Sequence, residues 1–324
     1  MKRHRDVLVR IGMPLVTGRL IDEAPPGAHF LVSANAFWNK EKREFSHPVD
    51  RPEIEGLKEL GLRPKQRKRK PGEPRPAEPS LWERLAYRTA LDSAGFVAMH
   101  LYGGEYPWTV EQYVEFATAY PFDWYSAMDY CCEREIASDR ATVRQRVALT
   151  AERFGDCDGY ARFLRDDEGM NWIQTPVPIV QGWLADDYRE CVDLLDEHMV
   201  DGWPELVGVG SVCRRQMTGP DGLGRILGAL DSALPPHVKL HLFGVKSSAL
   251  RQLAGHPRIE SIDSCAWDYA ARAQAYQQRK AEQEAGVPVE QQTVKSIAYR
   301  GKFMRDWAAK QAEVAKRPQF DLFG

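Results

Sequence analysis

Eight short apolar, β-branched or aromatic runs recur along the chain, and helix-prone segments fill the gaps between them. The runs are Val7–Ile11, His29–Ala34, Tyr87–Leu91, Trp124–Met128, Val177–Val180, Leu206–Val209, Val238–Phe243 and Ile259–Ile262. Most are bounded by Pro, Gly, Asp or Asn, as strands are. Between them, Val110–Ala119, Ala141–Phe154, Asp186–Met199 and Leu223–Ser232 read as helices. Strands that alternate with helices imply parallel βαβ units, because a parallel neighbour needs a crossover. The rhythm suits an α/β fold of the (β/α)8 TIM-like barrel type. A doubly wound sheet would show the same alternation.

Two segments break the rhythm. Pro64–Pro79 is rich in proline and positive charge and reads as an exposed loop or arm. Beyond Ala270 the chain is polar and helix-prone, with a break at Gly286-Val287-Pro288 and a frayed end near Pro318–Gly324. The expected organisation is a barrel over residues 1–270 with a basic insertion at 64–79. A helical extension packed on it would cover 271–324.

Composition narrows the class. The chain has 324 residues, 43% hydrophobic and 28% charged, which is the make-up of a soluble globular protein. The basic start is followed by an apolar run broken at Arg10 and Pro14, unlike a signal peptide. No run approaches the roughly 20 apolar residues of a membrane span. Cys131, Cys132, Cys157, Cys191, Cys213 and Cys265 form no CxxC pair, so reduced thiols in a cytoplasm and no metal site are expected. A site built from Cys131, Cys132 and Cys213 is the alternative. The formal net charge is −2, so any polyanion must be held by local patches.

In a parallel barrel the reactive groups gather where the strands end. Those ends carry Asp92-Ser93, Asp129, Gln181-Gly182, Gly208-Val209-Gly210-Ser211, Gly244 and Asp263-Ser264. Any one aspartate could simply cap the following helix. Three aspartates, a glutamine and several glycines converging on one mouth suit glycosidic chemistry. One carboxylate would attack the anomeric carbon while another manages the leaving group's proton. Glutamine and glycine-flanked amides can read a purine edge, since glycine lets the backbone approach a flat ring.

These segments resemble the tRNA-guanine transglycosylase superfamily, and within it the 7-deazaguanine DNA transglycosylases (DpdA type) of phages and bacteria. Leu91-Asp92-Ser93-Ala94-Gly95-Phe96 is similar to the family's DSGGF/Y segment, and Ile179-Val180-Gln181-Gly182 to its VQG. Met128-Asp129-Tyr130 stands where the family has a base-reading Asp, and Val207–Ser211 where it has a glycine-rich strand end. Leu242-Phe243-Gly244 resembles HLxGxG, and Ser261-Ile262-Asp263-Ser264-Cys265-Ala266-Trp267 resembles the nucleophile's FDSAS/Y. The resemblance implies Asp263 as nucleophile and Asp92 as the acid/base. Asp268 is a competitor that would lie past the strand. It implies Ser93, Asp129, Gln181, Gly182, Gly208, Val209, Gly210 and Ser211 around the base, with no cofactor.

The tRNA enzymes' CxCxxC zinc motif is missing after Asp263, which leans the substrate towards double-stranded DNA. The expected activity is exchange of guanine in DNA for a free, preQ0-like 7-deazaguanine base. The alternatives are a tRNA-guanine transglycosylase, a glycosidase, and a non-catalytic nucleic-acid-binding paralogue. Partner proteins of a DNA-modification system would be in keeping with the first. Lys65, Arg67, Lys68, Arg69 and Lys70 in the proline-bounded arm, and Arg214 and Arg215 after a strand end, are the expected phosphate contacts. Trp108 and Trp183 could stack on a base or pack in the core. His241, inside an apolar run, is expected to be a satisfied core histidine.

Overall fold

The alternating runs pair as the pattern requires. The computed structural model describes residues 6–13, 20, 23–45, 88–119, 122–245, 247–293 and 296–316. Its main sheet contains β1 (Leu8–Met13), β2 (His29–Ser33), β5 (Arg88–Asp92), β6 (Ile179–Val180), β7 (Leu206–Val209), β8 (Lys239–Leu242) and β9 (Ile259–Ser264). Two short strands, β3 (Trp38–Asn39) and β4 (Glu44–Phe45), form a separate antiparallel hairpin. The sheet is parallel throughout, in the order β5-β2-β1-β9-β8-β7-β6. Strands of the sheet that are consecutive in sequence are neighbours except β5 and β6, which form its two edges, and the first strand pairs with the last. A doubly wound sheet, whose order reverses at a switch point, does not have this arrangement.

The fourth run, 124–128, forms no continuous ladder. It makes isolated parallel bridges, Leu91 with Tyr125 and Ser126 with Val177. The Ser126 N–H donates to the Leu91 carbonyl at 2.9 Å and the Ala127 N–H to the Val177 carbonyl at 2.8 Å. One segment thus touches both edges of the sheet, which is curled.

Side chains that alternate across the sheet separate two packing regions. Leu31, Ala90, Trp124, Val177 and Ile179 form a small cluster on the concave side, with Phe243 against it. Phe30, Val32, Leu91, Val180, Val207, Val209, Leu240 and Leu242 belong to the large cluster beneath the helices.

The helices are α1 (Gly95–Leu101), α2 (Val110–Ala119), α3 (Arg140–Arg162), α4 (Ala185–Asp196), α5 (Leu223–Ala233), α6 (Ser247–Leu253), α7 (Ala266–Glu284) and α8 (Ile297–Val314). The expected end of α3 near Phe154 is corrected. The helix runs on through Gly155, where a Cβ would sit 2.5 Å from the His198 ring, so this glycine allows close packing rather than termination. The helix continues and closes on a π-turn at Phe163–Asp167. The break expected at Gly286 is present, with φ of 73° at that residue. Helix α8 packs on β1 and α6, while α7 packs on α8. No helix among the described residues is long and apolar enough to cross a membrane.

Candidate active site

Because the sheet is parallel, its carboxyl ends form one rim. Asp92 ends β5, Asp129 follows the 124–128 segment, Gln181 follows β6, and the Gly208–Ser211 stretch ends β7. Strand β9 runs to Ser264, two residues beyond its expected end, so Asp263 lies within the strand.

Asp263 is buried at 5% exposure and faces the same side as Ser261, two residues before it. The backbone N–H of Gly244 donates to its Oδ1 at 2.8 Å. That approach needs the left-handed turn at Gly244, where φ is 66°. His241 Nε2 lies 3.6 Å from the same oxygen, and Nδ1 lies 2.8 Å from Ser261 Oγ. The imidazole is fully buried, with Trp124 and Phe243 meeting it edge-on at 4.9 and 4.6 Å. Burial pushes the His241 pKa down, although Asp263 pulls the other way. A neutral ring carrying its proton on Nε2 accepts from Ser261 and points N–H at Asp263. The other tautomer would set a lone pair against the carboxylate. His241 is therefore a buried histidine, as its apolar run suggested, and also a neighbour of Asp263, which the run did not reveal.

Asp92 is half-buried, and its carboxyl accepts the Ala94 N–H. Burial, then the neighbouring Asp129 and Asp263, hold its pKa well above the usual carboxylate range. The three carboxyl groups therefore lie near enough to act on one another. Ala94 starts α1 from a left-handed conformation, φ 72°, which costs a non-glycine residue about 1 kcal/mol. The turn aims the Ser93 side chain inward. The next residue, Gly95, packs so closely that a Cβ would sit 2.5 Å from the Asp129 carbonyl oxygen.

Asp129 is the centre of a buried polar chain. The Ser93 hydroxyl donates to its Oδ1 at 2.6 Å and the Gln181 amide donates to its Oδ2. Gln181 Oε1 in turn lies 2.7 Å from Ser211 Oγ, which accepts the Cys132 N–H and lies 3.1 Å from Glu133 Oε2. At the other end the Tyr106 hydroxyl donates to the Asp129 carbonyl at 2.7 Å and accepts its N–H at 3.0 Å. Burial raises the Asp129 pKa to about 6, against the two side-chain donors that lower it. Tyr106 is held by Trp108 and Tyr130, with ring centroids 5.5 and 5.8 Å away. Tyr106, Glu133 and His241 were not named as site residues from the sequence. Only the fold brings them here.

The glycines set how near the backbone comes. A Cβ on Gly210 would lie 2.1 Å from Gln181 Nε2, and one on Gly208 would lie 2.4 Å from Ile179 Cδ1. Gly182 is closed off in the same way by Asp187 and Tyr188. Gln181 is held at both ends and cannot swing aside freely. Gly210→Ala is accordingly expected to destabilise the fold by about 1–3 kcal/mol, as overpacking does, and to weaken binding of a free purine base. Denaturant unfolding and base titration check this. Unchanged stability would mean that Gln181 has slack.

Arg215 is turned into the fold. Its guanidinium donates to the carbonyls of Trp183 and Asp221 at 2.7 Å, of Ser211 at 2.6 Å and of Gly182 at 3.3 Å. It also stacks on Trp183 at 3.9 Å, with Arg134 at 5.0 Å from the same ring. Arg214 is exposed, with φ of 62°. Lys65, Arg67, Lys68, Arg69 and Lys70 lie outside the described residues. Trp108 is in the core, in an aromatic cluster with Trp38 and Phe45. All six cysteines are free thiols, and the described residues contain no group of three ligands placed for a metal ion. Asp268 is buried in the first turn of α7, between Arg272 at 2.9 Å and Arg300 at 2.6 Å.

No individually curated protein matches the chain. Residues 80–308, more than two thirds of the chain, match the family DpdA, described as DeoxyPurine in DNA protein A. That span holds every rim residue described above. The chain belongs to the DpdA family of DNA-modification transglycosylases.

Proposed function

We propose that this chain exchanges guanine in DNA for a free 7-deazaguanine base through a covalent bond between Asp263 and the deoxyribose C1′. The observation that carries the reading is the electrostatic pairing of Asp92 with Asp263 across the rim. A carboxyl whose pKa is driven up by burial and by two neighbouring carboxyl groups holds its proton more tightly than an ordinary one, as a general acid must. The group beside it is a carboxylate steadied by the Gly244 N–H. The 124–128 segment acts as the eighth stave, so that the curled sheet works as a closed (β/α)8 barrel. Residues 271–324 serve as a helical extension of it.

A nucleotide flipped out of the duplex enters the rim. An Asp263 oxygen forms a bond to C1′ as the bond to guanine N9 breaks. The departing ring takes the electron pair and a proton from Asp92. The incoming base then gives its N9 proton to Asp92, and N9 attacks C1′. The ester bond breaks and its electron pair returns to Asp263. Atoms and charge balance without a cofactor or a nucleoside triphosphate. Asp129, Gln181 and the amides around Gly208–Gly210 hold each base in turn. Ser93 and Ser211 orient the two polar readers.

Incubation with isotopically labelled 7-deazaguanine base and either duplex DNA or tRNA, followed by nucleoside analysis, tests this directly. The expected result is label in DNA, with one guanine released for each base incorporated. Label in tRNA alone, or guanine release without incorporation, rejects the reading.

A further inference from the structure

We propose that Ser261 and His241 are positioning residues for Asp263, a buried hydroxyl–imidazole pair that keeps one N–H aimed at its carboxylate and so favours the free anion over the ester. The inference rests on the covalent reading given above and adds two residues that the reaction as written there does not use. It starts from an irregularity in the sheet. Leu240 pairs with Ile259 but His241 pairs with Ser261, so the register slips by one residue and Glu260 has no partner on β8. Without the slip His241 would face Glu260, and Ser261 would stand beside Leu242. An extra residue of this kind re-aims the side chains of its strand, and such features gather beside active sites. Here it sets a hydroxyl, an imidazole and, two residues after Ser261, the Asp263 carboxylate on one face of the sheet.

The proton positions follow from what each atom can find. Ser261 is buried, and among the described residues its hydroxyl has His241 Nδ1, at 2.8 Å, as its hydrogen-bond partner. Were the ring proton on Nδ1, the Ser261 proton would have no acceptor and the Nε2 lone pair would face a carboxylate. With the proton on Nε2 both costs vanish. Nε2 has no partner within hydrogen-bonding distance, and the acceptor it faces is Asp263 Oδ1 at 3.6 Å. A buried donor left short of its acceptor calls for a reason. Trp124 and Phe243 close the ring in edge-on, so it cannot turn elsewhere. Burial first, and Arg10 on the far side of Trp124 last, hold the imidazole uncharged against the pull of Asp263. A neutral ring offers the nucleophile a fixed dipole, where an imidazolium would tie up its electron pair in an ion pair. The covalent step moves the rim's negative charge from Asp263 to Asp92. An N–H aimed at Asp263 therefore opposes formation of the ester and assists its breakdown, and an exchange enzyme whose ester is too stable would trap its DNA.

The test uses the full chain and a DNA duplex offered without 7-deazaguanine, with guanine titrated in and the covalent adduct measured after a denaturing quench. The guanine concentration that halves the adduct reports the balance between anion and ester. His241→Leu should raise it about three- to tenfold, the scale of one net hydrogen bond. Ser261→Ala, which removes only the pinning hydroxyl, should raise it by a smaller factor. His241→Gln, whose amide nitrogen can reach the Nε2 position, should bring it back towards the wild-type value. Melting curves report folding separately, and a histidine that merely fills space would lower them without moving the midpoint. An unmoved midpoint in Ser261→Ala and in the folded His241 variants overturns the proposal. Nitrogen NMR of the His241 ring gives a reading that needs no reaction. Its proton should sit on Nε2, and that signal should move in Asp263→Asn. A proton on Nδ1 overturns the pairing. A wild type that forms no adduct, while its Nε2 signal still depends on Asp263, would refute the covalent reaction and leave the pairing standing.

Discussion

Replacing Asp263 with alanine is expected to lower base exchange by at least about 10⁴-fold, the scale of loss when a covalent nucleophile is removed. DNA affinity should change little and the fold should persist, with the melting temperature lowered modestly because the Gly244 N–H and the buried His241 lose a buried partner. In the wild type, a DNA duplex offered without free base should leave a deoxyribosyl adduct that peptide mapping places on Asp263. An adduct on Asp268 would sink the assignment. The structure gives a reason to expect none. That carboxylate is 1% exposed and held between two guanidiniums, so an attack would have to break both pairs.

Asp92→Asn should cost about 10²–10⁴-fold in exchange, the usual contribution of a general acid or base. The pH dependence supplies the sharper check. In the proposed reaction Asp92 delivers a proton only while protonated, and its pKa lies well above the ordinary range because of burial, then Asp129 and Asp263. The wild-type rate should therefore fall as pH rises through that raised value, and the asparagine variant should lack this limb. Stability must follow the same sign. A carboxyl with a raised folded pKa stabilises the fold fully below its unfolded pKa of about 3.9, and the contribution is lost as pH climbs through the folded value. Asp92→Asn should thus melt higher than wild type on the alkaline side. A residual slope should remain from Asp129, raised to about 6. A loss under about tenfold with the alkaline limb intact would assign the proton to another group.

Much of this arrangement is legible in the sequence, for reasons that differ by residue. The parallel strands show because each is a short apolar run bounded by turn formers. Asp92, Asp129, Gln181 and Asp263 show because in such a sheet the reactive groups lie where runs stop. Tyr106 stays hidden because it sits in a loop and is placed by Trp108 and by Tyr130, the latter 24 residues later in the chain. His241 stays hidden because periodicity reports which way a side chain faces but not what it meets. Strand β6 is only two residues long, shorter than the run that announces it, since Pro178 has no N–H to give to a ladder. Helix α3 outruns its expected end near Phe154, and Gly155 inside it is small to make room for His198.

The thinly bridged segment at 124–128 has a consequence for how the protein breathes. Elsewhere in the sheet, backbone ladders hold neighbouring strands. Here two isolated bridges do so, supplemented at the rim by the hydrogen bonds of Asp129 to Ser93 on one side and to Gln181 on the other. Local opening in native proteins begins where ladder bonds are fewest. The amides of this segment should therefore exchange with solvent faster than those of β1 or β9, and a bound base that braces Asp129 and Gln181 should slow them. On the proposed reading, the same few side chains both read the base and hold this segment to its neighbours. Any change of substrate preference that acts through Asp129 or Gln181 should then also move the temperature at which this segment opens, so evolution and engineering alike face that coupling at every step.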